Sequence, residues 1–325
     1  MTASYRGGEL VAEICRSGFT ESLHRGSVAV TDPAGHRVAA IGDADHPVFP
    51  RSSNKPMQAL AMLRAGWEPA SEADLAIAGA SHRGEPVHLE RVRSVLGHAG
   101  LGEEHLQCPP DLPGDPDARN AVVAAGEGPR RLYMNCSGKH SGMLAACAAA
   151  GWDPGAYRDP EHPLQRLITA TVEELTGESV GAVGVDGCGA PVLAVSLTGL
   201  ARAFSRLVEA PEGTPERRVA DAMRANPILV DGTRGPDHRM MAALPGLLAK
   251  GGAEGVHVIA APGVGAAAVK IDDGGGRAST PVALRALTTV GGLAVPEGAK
   301  PEVDALLWPE VHGGDQPVGR LRTLL

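Results

Sequence analysis

Aromatic residues are nearly missing from this chain, with three each of Phe, Trp and Tyr in 325 positions. Nucleic acids are held on basic grooves and stacking rings, yet no basic block occurs and the formal charge is −8. Nucleic acid is therefore not an expected partner. No run of about 18 apolar residues occurs either, so no membrane span is expected. Near the start, Arg6, Glu9, Glu13 and Arg16 interrupt the stretch that a signal peptide needs to keep apolar, and the expected compartment is the cytoplasm. Cysteine is scarce and odd in number, at five, which argues against a disulfide framework and leaves metal binding, catalysis or plain burial. Lysine is the most telling shortage, at five against twenty-five arginines. Arginine cannot be deprotonated in a protein, whereas a buried lysine shifts its pKa readily. Each retained lysine is thus a candidate for work that needs a neutral amine; Lys300, in a Pro- and Glu-rich stretch, reads as a surface residue, and Lys55, Lys139 and Lys270 stand in motif-like surroundings.

What is present is apolar and small, with 43% hydrophobic residues and 43 glycines, enough for a sizeable core with close backbone packing. No repeat or low-complexity linker divides the chain, so one continuous domain over 1–325 is expected. Ser27 to Gly42 reads as a hairpin about an Asp32-Pro33-Ala34-Gly35 turn. Helices are expected near 53–65, 86–97, 138–150, 162–176, 214–225, 237–249 and 279–290, and strands near 180–185, 191–196, 255–261 and 265–271. Strands at both ends with helices between predict an α+β fold of α/β/α layers, in which N- and C-terminal strands meet in one antiparallel sheet.

Four stretches carry chemistry. In Arg51-Ser52-Ser53-Asn54-Lys55-Pro56 a hydroxyl and an amine stand three apart at a helix start, on one face. Ser52 is either an ordinary N-cap or a nucleophile whose proton Lys55 accepts. In Ala80-Ser81-His82-Arg83-Gly84-Glu85-Pro86, Ser81, His82 and Glu85 face a pocket or form a surface loop. Asn135-Cys136-Ser137-Gly138-Lys139-His140 is not a phosphate loop, since the first glycine is replaced by Tyr133 and His140 follows the lysine. Its thiol and amine suit a borderline metal if a second thiolate arrives, and Asp186-Gly187-Cys188-Gly189 is the best source. Cys15, Cys108 and Cys147 read as packing residues. In Val269-Lys270-Ile271-Asp272-Asp273-Gly274 the lysine is either functional or an edge-strand residue paired with Asp272 or Asp273.

In order, these stretches resemble the Rhizobium-type bacterial L-asparaginases, also called class 3 or asparaginase II, from the Ser27 hairpin to about Arg277. The resemblance implies a fold similar to serine β-lactamases and glutaminases, hydrolysis of L-asparagine to L-aspartate and ammonia, and a homodimer. It implies two Ser-Lys pairs in one pocket, Ser52 with Lys55 and Ser81 with Lys270, with Ser52 the nucleophile and Arg51 beside it. It also implies zinc on Cys136, Lys139 and Cys188, with Asp186 close to the metal and, like Arg51, at the substrate. Arg83 departs from the pattern, where a small residue, commonly serine, is expected. The Tyr133-x-Asn135 pattern is also similar to penicillin-recognising enzymes, but a Lys-[Ser/Thr]-Gly element is missing and no export signal is expected. The alternatives are a glutaminase or other amidase of the same fold, or a non-catalytic metal-binding regulator.

Overall fold

The computed structural model describes residues 5–325. Strands β1 (Glu9–Arg16), β2 (Phe19–Thr31) and β3 (Arg37–Ile41) open the chain, and β4 (Ala182–Val185) and β5 (Pro191–Ala194) form a separate hairpin. Strands β6 (Leu248–Gly251), β7 (Val256–Ala261), β8 (Gly265–Ile271), β9 (Glu310–Gly313) and β10 (Gln316–Thr323) follow. The main sheet runs β6-β7-β8-β2-β1-β10-β9, with β3 beside β2, and its pairings are antiparallel. The two ends of the chain meet as expected, Ala29 opposite Ala268 and Ile14 opposite Leu321.

Alanine and glycine make the centre of this sheet thin enough to be covered closely. Every residue of β7 is buried, and because strand side chains alternate between faces, both faces must be covered. Helix Leu197–Glu209 packs on β2, β7 and β8, and helix Ser279–Thr289 on β7 and β8. The architecture is α+β, a sheet between helical layers.

Most expected elements are present within two residues, among them helices Lys55–Arg64, Pro86–His98, Ser137–Ala150, Pro163–Thr176 and Pro215–Ala225. One expectation fails in a way that matters for the site. The helix expected over 237–249 covers only Pro236–Ala243, and Leu248–Gly251 is a strand paired with β7. Pro245 disfavours the helical region for Leu244 before it, and the chain then turns through Gly246, whose φ is +88°. Five lysines were candidates from the outset, and this break delivers the unassigned one, Lys250, to the edge of the sheet.

Candidate active site

Ser52, Ser81, Arg83, Asn135 and Lys250 share the wall of one cavity of about 380 Å³. Pro50 leads into a 3-10 turn, Arg51–Asn54, that runs on as helix Lys55–Arg64. Arg51 enters it with a φ of +53°, an uncommon conformation for a residue with a Cβ and one that the surroundings must hold in place. Three residues per 3-10 turn stack positions i and i+3, and the Lys55 N–H bonds the Ser52 carbonyl. Ser52 is not the cap: Asn54 occupies that position and makes no side-chain cap bond, while Pro56 sits in the first turn as expected.

Lys55 is only 1% exposed. Its Nζ donates to the Ala80 carbonyl and, at 2.9 Å, to Ser81 Oγ. Burial pushes this amine down to about 8, with Lys250 and Lys139 adding to the effect and Cys136 opposing it. The serine that Lys55 bonds is therefore Ser81, while Ser52 lies half-buried on the same wall. Beside them the Gly84 N–H donates to His82 Nδ1 at 3.1 Å, which places the ring proton on Nε2, 2.8 Å from Ser137 Oγ. Burial, then the stacked His88 and Lys55, keep His82 neutral. It braces the Ser81 loop against the Cys136 segment. Glu85 turns instead to Thr233, whose N–H it accepts at 2.8 Å.

Lys270 does not meet Ser81. It stands on β8, an interior strand between β2 and β7, and its Nζ donates to the carbonyls of Glu254 at 2.7 Å and Ile271 at 2.6 Å. It lines a different cavity, with Tyr5, Phe49 and Arg51. The edge-strand alternative fails as well, since Asp272 receives the Tyr5 hydroxyl at 2.6 Å and the Gly8 N–H at 2.9 Å. Lys270→Met is expected to keep whatever turnover the Ser52–Ser81 cavity supports within about threefold of wild type, as a substitution outside that cavity does. A hundredfold loss of that turnover would restore the Ser81–Lys270 pair.

The lysine in the Ser52–Ser81 cavity is Lys250, and its signal in the sequence is the run Lys250-Gly251-Gly252. Lys250 is 1% exposed, lies 3.3 Å from Asp237 Oδ2 and donates to the Gly251 carbonyl at 2.8 Å. Asp237 also accepts the Gly251 N–H at 2.8 Å and stands 2.9 Å from His257 Nε2. Burial alone would raise the Asp237 carboxyl, but Lys250 and then His257 hold it well below the usual range. Its neighbour Asp231 is pushed up to about 6 by burial and by Asp237. Gly252 has a steric reason: a Cβ there would lie 2.4 Å from the Pro50 carbonyl oxygen, so only glycine lets this segment lie against the Ser52 turn. Ser53 Oγ closes the contact by donating to the Lys250 carbonyl at 2.9 Å.

Cys136, Lys139 and Cys188 do come together. Lys139 Nζ donates to Cys188 Sγ at 3.0 Å, and the buried Cys136 thiol donates to Asn135 Oδ1 at 3.2 Å. The neighbouring Cys188 thiol, then Lys55 and Lys139, lower Cys136 well below the ordinary thiol range, and Cys136 and burial raise Cys188. Gly138 serves packing, since a Cβ there would sit 2.3 Å from the Ile77 carbonyl oxygen. Asp186 Oδ2 lies 4.0 Å from Cys188 Sγ, and Oδ1 accepts Arg51 Nε at 2.7 Å. Arg51 and Asp186 thus pair with each other beside the thiols, outside the lining of the Ser52 cavity, against the expectation that they hold substrate. Among the described residues no three of His, Cys, Asp and Glu gather in a metal-holding group. A metal here would have two thiolates and one amine from the protein, a soft, three-ligand set that suits zinc with a position left open.

Among the described residues no helix is long and apolar enough to cross a membrane. A search of curated proteins finds no match for the sequence. Among solved structures, a β-lactamase from Mycobacterium bovis is similar at 16% identity over 81% of this chain and 94% of its own, with a TM-score of 0.41. Mglu, solved in its Tris and glutamate form, is similar at 16% identity over 83% of this chain and 58% of its own, with a TM-score of 0.36. At these scores the fold description rests on the sheet order and packing given above. The family model described as L-asparaginase II matches residues 12–323, so the chain belongs to the asparaginase II family and is a hydrolase.

Proposed function

We propose that this chain hydrolyses L-asparagine to L-aspartate and ammonia through an acyl-enzyme on Ser52. The observation that supports it best is the buried Lys55 amine, bonded to Ser81 in a cavity that Ser52 also lines. A neutral amine has two N–H groups and one lone pair. The Ala80 carbonyl and Ser81 Oγ take the former, which leaves the lone pair to accept the Ser52 proton. Ser52 Oγ then attacks the side-chain amide carbon. The proton passes from Lys55 through the Ser81 hydroxyl to the leaving nitrogen, and ammonia departs as the C–N bond breaks. Water attacks the ester, returns a proton to Ser52, and aspartate leaves. Lys250, on the same wall, supplies fixed positive charge near the amide oxygen as it becomes negative. Ammonia release from asparagine, glutamine and a dipeptide amide tests the reading. Preferred turnover of glutamine would keep the mechanism and change the substrate, and no turnover of any amide would leave a non-catalytic metal-binding protein.

Zinc on Cys136, Lys139 and Cys188 belongs to the same proposal. When bound it supplies a rigid joint between the Asn135 segment and the β4–β5 turn, its charge balanced by the two thiolates, and a site without histidine does not resemble hydrolytic zinc centres. Purified protein is expected to carry close to one equivalent by elemental analysis, and Cys188→Ser less than about a tenth of that. Wild-type protein with under about a tenth of an equivalent, and no uptake on adding zinc, would remove the metal from the account.

A further inference from the structure

Arg83 is the residue at which the chain departs from its resemblance, and it is held in place at the cavity wall. Its Nε donates to the Asp231 carbonyl at 2.6 Å and its Nη2 to Asp231 Oδ1 at 3.1 Å. Asp231 is in turn anchored through Oδ2, which accepts the Asp237 N–H at 3.1 Å. The Ser81 N–H bonds the Val230 carbonyl at 3.0 Å, and the Asp115 N–H bonds the Arg83 carbonyl at 2.8 Å. The loop bearing Ser81 and Arg83 is therefore stitched to the segment bearing Asp231, and the guanidinium is fixed relative to the proposed reacting groups.

A guanidinium carries five N–H donors in a planar fork, and these two bonds leave the Nη1 side for a ligand. Arg83 keeps a third of its side chain exposed, at 34%. The other cation on the wall, Lys250, faces Asp237 and the Gly251 carbonyl. The negative groups on this side, Asp231 and Asp237, are each matched by a cation. A planar fork with free donors is the arrangement that binds a carboxylate by two parallel bonds.

We propose that Arg83 is the carboxylate-recognition residue of the Ser52–Ser81 cavity, and that it restricts substrates to amides bearing a free carboxylate, as a free α-amino acid does. The proposal rests on the amidohydrolase reading, so its test includes a measurement that needs no turnover. The first arm compares kcat/KM for L-asparagine and for L-asparagine amide, which lacks only the carboxylate. Wild type is expected to prefer asparagine by about ten- to a hundredfold, the range of one lost charge-assisted contact. In Arg83→Gln that preference falls toward unity, mainly through KM for asparagine, and Arg83→Lys restores part of it. The second arm titrates L-aspartate and L-isoasparagine calorimetrically, without catalysis. Aspartate binds wild type more tightly, and Arg83→Gln removes about tenfold of that difference or more. Loss of turnover with the binding difference intact would overturn the amidohydrolase reading and keep the role of Arg83. An unchanged asparagine-to-amide ratio in Arg83→Gln, or equal binding of the two ligands by wild type, would overturn the role itself.

Discussion

Ser52→Ala is expected to lower kcat for asparagine by about a thousandfold or more, with KM changed little, because removing a nucleophile removes the covalent route and leaves only binding and charge. Lys55→Ala should fall as far, since no other neutral amine is bonded within this group. Ser81→Ala should lose about a hundred- to ten-thousandfold, the worth of one proton transfer. The hydrogen bond from Lys55 Nζ to Ser81 Oγ, at 2.9 Å, makes this comparison sharp. It is the only one of the two serines that the amine touches at rest, so Ser81 has a claim of its own. Mass spectrometry of protein quenched during turnover reads which serine carries the acyl group. If Ser52→Ala keeps near wild-type ammonia release while Ser81→Ala abolishes it, the roles are exchanged. Double replacement should cost little more than the worse single one, since groups that act as a unit are not additive.

Lys250→Ala carries the second large effect, on stability as well as on activity. It leaves the Asp237 carboxylate, 1% exposed, beside a partly emptied site. Breaking a buried pair by removing one partner costs about 3–5 kcal/mol, which for a chain of this size lowers Tm by roughly 4–7 °C. Activity should drop by about a hundredfold or more, through loss of positive charge on the cavity wall. Lys250→Met with Asp237→Leu separates the two effects. Two apolar residues of similar volume in place of a buried pair are often neutral for folding, so Tm is expected to recover while activity stays low. A Tm within about 2 °C of wild type for Lys250→Ala would show that the pair is solvated rather than buried, and would sink this reading.

Much of this site was legible in the sequence because its parts are local. Ser52 and Lys55 are three residues apart, and a helix start is a local event written by Pro56 and the apolar residues after it. The same holds for Cys136 with Lys139 on the first turn of Ser137–Ala150. Scarcity of lysine pointed at Lys55 and Lys139, which are both buried, and placed Lys300 at the surface, where it pairs with Glu297 at 2.6 Å. Alternation and turn residues likewise marked β7 and β8, and strands at both chain ends required a common sheet.

What local pattern could not decide was which distant lysine shares a cavity with Ser81. Lys270 had the more motif-like surroundings, but strand pairing sets its side chain: opposite Ser27 on β2 and Val256 on β7, it reaches the carbonyls of Glu254 and Ile271. Lys250 lay inside an apolar run that reads as the end of a helix. Only pairing with β7, which satisfies the backbone groups freed where the helix stops at Ala243, turns that run into a strand and points its lysine at Asp237. The pairing of Arg51 with Asp186 joins residues 135 positions apart, and that of Arg83 with Asp231 joins residues 148 apart. The Ser-x-x-Lys unit and the Cys136-x-x-Lys139 unit are thus properties of the sequence, since each depends on neighbours along the chain. The identity of the second lysine, the open Nη1 edge of Arg83 at the cavity wall and the separation of Lys270 from Ser81 are properties of the tertiary structure, because each depends on which buried charge finds its partner once the strands are paired.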